Sequence, residues 1–322
     1  MNKKFSRGTS DMKSYILIKI FVGLLSLLNV TEAACTLPSY MTGSWYDNKY
    51  IDVQFSSSNL MYFSAYSISR AGSTTNFTCV DVSTSYNRYI FRTVNTVSAT
   101  LNGVPGNYYY YLCMEVTKIT DYSFYYYLLS GADTNGERTV ISLLGSLVSS
   151  NVCSVTSIPK ELLHTMVRSG FESSAVQQCA DPFLGNFAFT FDDTANTKSK
   201  GNLTVCNALT TANTTYTTTG TVKVAFATNK YFGCIASVKS DSKYYSIWYN
   251  FDTSAIDLVL NQRFACMVAT YDGTNVTASQ RGRVCTEGQD STSKPADIGS
   301  IYPSGTNTAG GLLYLTPYSK YD

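Results

Sequence analysis

Histidine is almost missing from this chain: His164 is the only one among 322 residues. A zinc centre built on several histidines is therefore excluded. Any Ser–His or Cys–His catalytic arrangement would have to use this one residue. No Gly-x-Ser-x-Gly elbow accompanies it. There is no Cys-x-x-Cys pair to clip a metal and no Asp-x-[Asp/Asn]-x-[Asp/Asn]-Gly run to form a calcium loop. Glycine patterns that cradle phosphates are absent as well. The one conspicuous acidic pair is Asp192-Asp193. Neighbours in a strand face opposite ways, so the pair reads as a strand end before a turn at Thr194-Ala195-Asn196. The sequence predicts no enzyme activity, no cofactor and no metal.

Charge is also scarce, at 14% of residues. Residues 1–33 read as a secretory signal. Lys3, Lys4, Arg7, Lys13 and Lys19 supply the basic region, and Ile20 to Leu28 the apolar core. Thr31-Glu32-Ala33 precedes cleavage before Ala34. The apolar run is too short to span a bilayer, which takes about 20 apolar residues, so no stable membrane anchor is expected. Of 24 basic and 22 acidic residues, five and two lie in the signal, leaving 19 and 20. The remaining chain is near neutral, which removes the electrostatic case for nucleic acid. A secreted, extracellular protein is the expectation.

Cysteine is plentiful by comparison. All nine lie after the signal: Cys35, Cys79, Cys113, Cys153, Cys179, Cys206, Cys234, Cys266 and Cys285. In a secreted chain these predict disulfides, with one cysteine left over. Four sequons begin at Asn76, Asn202, Asn213 and Asn275 and predict N-glycosylation.

The chain repeats itself. Cys35-Thr36-Leu37-Pro38 leads to Gly43-Ser44-Trp45-Tyr46, and Cys179-Ala180-Asp181-Pro182 leads to Gly185-Asn186-Phe187. Farther on, Tyr111-Leu112-Cys113-Met114 parallels Phe264-Ala265-Cys266-Met267, each followed after two intervening residues by a threonine, Thr117 and Thr270. Two matches in the same order predict tandem modules in which Cys35 and Cys113 play the parts of Cys179 and Cys266. Between turns such as Asn102-Gly103, Asp133 to Gly136 and Asp272-Gly273, the segments alternate with the period of two of a strand. Predicted strands include 89–91, 108–116, 123–129, 139–144, 186–191, 221–227, 230–238, 244–251, 255–260 and 263–270. Leu60, Tyr62, Tyr66 and Ile68 fall on one strand face. Ser157, Pro159, the apolar set Leu162, Leu163, Met166 and Val167, and Gly170 predict a short helix with His164 partly exposed on it. The fold class is thus all-β: two tandem antiparallel barrel- or sandwich-like modules joined by a short helix. The boundaries are signal 1–33, first module 34–157, helical linker 158–178, second module 179–285, and a flexible polar tail 286–322.

Tyrosine is the abundant residue, 26 in all. Tyr108-Tyr109-Tyr110-Tyr111 and Phe124-Tyr125-Tyr126-Tyr127 sit on predicted neighbouring strands. Alternation sends some rings into the core and leaves others as an exposed aromatic ladder. Ligand-binding candidates are Trp45, Tyr46, Tyr109 and Tyr111.

Gly43-Ser44-Trp45-Tyr46 resembles the Gly-x-Trp signature of lipocalins, which implies a barrel holding a small apolar ligand. In that family an arginine from a later strand partners the tryptophan; none is assigned here from sequence. The order Cys-x-Leu-Pro…Gly-x-Trp, Ile158-Pro159, Cys179, Gly-x-Phe-x-Phe also resembles secreted invertebrate proteins of molluscs and arthropods with tandem Cys-rich modules of unknown function. That resemblance implies an extracellular structural component, as in a calcified shell or cuticular organic matrix, with other matrix components as partners. The alternative is a lipocalin-like carrier.

Overall fold

A computed structural model describes residues 35–63, 76–132, 138–205, 209–255, 257, 261–295 and 310–319. The signal segment, Tyr66 and Ile68, the turn at 133–136, Cys206 and most of 255–260 lie outside these residues. The first module opens with β1 (Gly43–Asp47), β2 (Ile51–Phe55), β3 (Leu60–Phe63), β4 (Phe77–Ser83) and β5 (Arg88–Thr93). It continues through β6 (Val97–Leu101), β7 (Val104–Thr120), β8 (Ser123–Leu128), β9 (Val140–Ser142) and β10 (His164–Arg168). Each of β1 to β4 pairs antiparallel with the next. β5 pairs with β7, β7 with β8, β8 with β10, and β10 returns to β1. Eight strands therefore close into a barrel, while β6 and β9 are extra partners of β7.

The second module is a closed eight-stranded meander: β11 (Asn186–Asp193), β12 (Lys198–Thr204), β13 (Thr211–Thr218), β14 (Tyr231–Ser240), β15 (Lys243–Asn250), β16 (Phe264–Tyr271), β17 (Val276–Gly282) and β18 (Gly310–Ser319). First and last strands pair in both barrels, which leaves no open barrel edge.

The repeat extends to atomic detail. Ile90 pairs with Cys113 as Ile247 pairs with Cys266. β4 carries an irregularity between Cys79 and Asp81, and β14 carries one between Cys234 and Ala236. The disulfides follow the same plan. Each opening cysteine bonds the fourth strand, Cys35–Cys79 and Cys179–Cys234. Each cysteine of the Cys-Met strand bonds a later loop, Cys113–Cys153 and Cys266–Cys285. Every bond stays within its own barrel. A cross-link over a loop of some 40–55 residues removes roughly 4 kcal/mol of unfolded-state entropy, so the staples matter at this module size.

Three expectations are corrected. Residues 158–178 do not form a helical linker: a single 3-10 turn, Lys160–Leu162, leads into β10. The apolar positions that resemble a helix stripe are two strand faces. Met166 joins the first barrel's core, whereas Leu163 and Val167 face the junction between barrels. His164 is accordingly buried rather than partly exposed. The segment 286–322 is not wholly a flexible tail, since Gly310–Ser319 is the strand that closes the second barrel. Leu313 and Leu315 enter its core. Residues 221–227 are not a strand. Asp193 accepts from the backbone N–H of Thr221 and Val222, Gln280 accepts from that of Ala225, and a 3-10 turn places Phe226 in the barrel core.

Both cores are dense with rings. Trp45 meets Phe124 edge-on at 4.8 Å, Phe55 tilts against Phe124 and Phe91, and Phe63 bridges Tyr50 and Phe77. In the second barrel Trp248 stands on the β15 position that Phe91 holds on β5. It lies between Phe183 at 4.7 Å and Phe232 at 4.9 Å.

The tyrosine runs divide by strand period. Tyr108, Tyr110 and Tyr126 fill the first barrel with Phe124. The outward set forms no exposed ladder. Tyr111 and Tyr127 join Ile90, Leu163 and Val167 of the first barrel and Ile235, Ile247 and Phe264 of the second in one buried cluster. Fully burying one such aliphatic side chain stabilises by about 1.5–3 kcal/mol, so this seam holds the two barrels as one body. Polar contacts register it: Arg283 donates to the carbonyls of Asn48 and Lys49, and the Asn48 amide donates back to the Arg283 carbonyl.

Two outcomes are expected. Non-reducing peptide mapping will recover Cys35–Cys79, Cys113–Cys153, Cys179–Cys234 and Cys266–Cys285; a Cys35–Cys266 peptide would refute independent barrels. His164 gives the second. Burial, with Lys49 and Arg138 nearby, lowers its pKa well below the ordinary 6.5. The unfolded chain then binds a proton that the folded chain refuses, so this group's stabilising contribution is present above pH 6.5 and declines as pH falls below it. Denaturation curves from pH 7 to 5 should show that decline, and it should flatten in His164→Gln.

Candidate functional site

The β1 strand delivers two different side chains to one place because successive residues alternate sides. Trp45 turns inward and is 1% exposed. Its indole N–H donates to the Met41 carbonyl at 2.7 Å, in the 3-10 turn Ser39–Met41 that precedes β1. Arg168 on β10 pairs with Trp45 in register. Its guanidinium lies 5.6 Å from the ring centroid and donates to the Thr42 carbonyl. Gly43 is required here. Its φ is +128°, and an added Cβ would stand 3.0 Å from the Arg168 guanidinium.

Tyr46 turns outward toward the second barrel. The Arg263 guanidinium, from just before β16, lies 4.2 Å from its ring centroid. The same guanidinium pairs with Asp52 of β2 at 3.0 Å and with Asp257 at 3.5 Å. Its Nε donates to the Ala255 carbonyl. Burial works against the charge of Arg263, but the carboxylates of Asp257 and Asp52 outweigh it and raise its pKa further. A planar, multiply bonded guanidinium on an aromatic face is a fixed platform.

These groups frame a cleft of about 520 Å³ on β1, β2 and β3 of the first barrel, to which the second barrel contributes Arg263. Ser44, Tyr46, Asp52, Gln54, Tyr62, Asn76, Ser169 and Arg263 line it, and Trp45, Val53 and Phe63 lie behind. Rings and neutral hydrogen-bonding groups dominate. The charged groups in the wall, Arg263 and Asp52, pair with each other.

Of the four residues singled out from sequence, Trp45 and Tyr46 belong to this cleft. Tyr109 and Tyr111 do not. The Tyr109 ring is covered by the Arg92 guanidinium at 4.9 Å. Tyr111 is buried, and its hydroxyl donates to the Leu144 carbonyl. Sequence reasoning missed Arg263 and Asp52, which are 211 residues apart and meet only when the barrels pack. The sequon residue Asn76 is the one other cleft member that carried a signal of its own.

The chain is thus a tandem of two closed, eight-stranded antiparallel barrels. No family model matches it, and no curated protein or solved structure is significantly similar to it.

Replacing Arg263 by Ala leaves the Asp257 carboxylate largely buried without its cation. The partly exposed setting reduces the cost to about 1–3 kcal/mol, read as a lower denaturation midpoint. Arg263→Lys should recover only part of it, because an ammonium cannot serve two carboxylates and a ring face together.

Proposed function

We propose that this protein is a non-catalytic structural component of an extracellular matrix, of the kind found in shell or cuticle, and not a carrier of apolar ligands. The observation that carries this reading is the ring-to-ring filling of the first barrel. Trp45, Phe55, Phe91, Phe124 and Tyr126 occupy the space where a lipocalin-like carrier would hold its ligand. Two disulfides per barrel fit a protein that must persist outside the cell. The only imidazole, His164, packs beside Tyr126 inside a barrel, where a substrate has no access to it. The long tyrosine runs do not support a cross-linking role, because the junction covers their outward rings. Among the described residues, the exposed rings open to oxidative coupling are Tyr86, Tyr231, Tyr271, Tyr314 and Tyr318.

Two measurements test this. Matrix extracted from the source tissue should retain the protein after body fluid is washed away; recovery in the fluid alone would sink the reading. A fluorescent fatty-acid probe should show no saturable one-to-one binding, whereas saturable binding quenched by Trp45 would revive the carrier. Peroxidase treatment should place dityrosine at exposed tyrosines such as Tyr86, Tyr231, Tyr271, Tyr314 and Tyr318 and not within 108–111.

A further inference from the structure

The cleft has the chemistry of a saccharide site. Sugars offer flat C–H faces that stack on rings and vicinal hydroxyls that pair with amides, carboxylates and guanidinium groups. Tyr62 supplies a ring, and the Arg263 guanidinium stacked on Tyr46 supplies a second flat surface. Gln54, Ser44 and Ser169 supply neutral hydrogen-bonding groups around them. The Arg263 fork is already held by Asp52, Asp257 and the Ala255 carbonyl, so it is ordered before a ligand arrives. Such a wall favours a neutral polyhydroxylated ligand over an apolar chain, which would leave these polar groups unpaired, and over an anion, which would face Asp52.

A second observation points the same way. Asn76 opens a sequon and is itself a residue of the cleft wall. It stands just before β4 and is exposed, whereas the next residue, Phe77, is fully buried in the barrel. A glycan on the Asn76 amide therefore starts inside the cleft.

We propose that this cleft binds a short neutral saccharide containing N-acetylhexosamine, supplied either by the chain's own Asn76-linked glycan or by a glycan of the surrounding matrix. The self-supplied case rests on the extracellular reading, because the modification occurs in the secretory route. There a lipid-pyrophosphate-linked oligosaccharide is the donor. The Asn76 Nδ2–C1 bond forms, the C1–O bond to the pyrophosphate breaks, and the amide proton is lost to base.

The test titrates chitotriose into full-length protein by calorimetry, comparing glycosylated wild type with Asn76→Gln. The glycan-free Asn76→Gln chain should bind saturably with one site. Tyr62→Ala in that background should weaken binding about tenfold, equivalent to about 1.4 kcal/mol. The exposed Gln54→Ala should weaken it several-fold and serves if Tyr62→Ala does not fold. Wild type binding at least tenfold more weakly than Asn76→Gln identifies the chain's own glycan as the occupant; equal binding identifies an external one. No saturable binding by Asn76→Gln, or binding indifferent to both cleft substitutions, overturns the proposal. Because chitotriose binding does not depend on secretion, its failure is distinguishable from failure of the matrix assignment.

Discussion

The outward faces of β7, β8 and β10 are too apolar to stay in water, and much of this molecule follows from covering them. Tyr111, Tyr127, Leu163 and Val167 bury themselves against Ile235, Ile247 and Phe264. Removing that much apolar surface from water is the dominant favourable contribution to joining the modules. It also settles what the tyrosine runs are for. One half of each run fills a barrel and the other half fills the seam, so neither half is left as an adhesive or reactive surface. The same packing completes the cleft, because it brings Arg263 onto Tyr46 of the first barrel.

The repeated plan explains how two barrels can share one face. Ile90 and Ile247, Tyr111 and Phe264, and Cys113 and Cys266 occupy equivalent positions, and all six join the seam cluster. The copies have diverged where divergence costs least. The large indole sits on β1 in the first barrel and on β15 in the second. In each case a residue of the opening 3-10 turn packs with or bonds it, Met41 through its carbonyl and Phe183 through its ring. A core of fixed volume tolerates such an exchange when the total filling is kept.

Legibility followed burial on each strand. Strands that bury rings on both faces, β7, β8 and β15, were readable because apolar residues crowd them. β12 and β13 were not. Thr, Asn and Lys occupy their outward positions, and only small or isolated groups such as Leu203, Ala212 and Thr214 point inward. β18 was hidden for another reason: its pairing partners, β11 and β17, are distant or follow a long connection, so no local signal marks it as the closing strand. The helix expected around His164 shows how period reasoning fails at short range. Four apolar residues spaced i, i+1, i+4, i+5 fit one helix stripe, but they fit equally a 3-10 turn running into a short strand buried on both faces, with Leu162 and Leu163 at the turn and Met166 and Val167 on β10. Length and context decide between them, and the context was the open gap between β8 and β1.

From sequence alone came the class, the tandem repeat and the equivalence of the cysteines, because alternation, turn chemistry and repeated spacing are local properties of the chain. Which cysteines pair, which strand closes each barrel and which faces meet are contacts between residues remote in sequence. Sequence spacing is silent on those, since many pairings satisfy the same local pattern. The cleft draws on both kinds: Tyr46 was visible as a candidate and Asp52 lies opposite it on β2, but Arg263 and its second carboxylate, Asp257, arrive only when the second barrel buries the first one's apolar face.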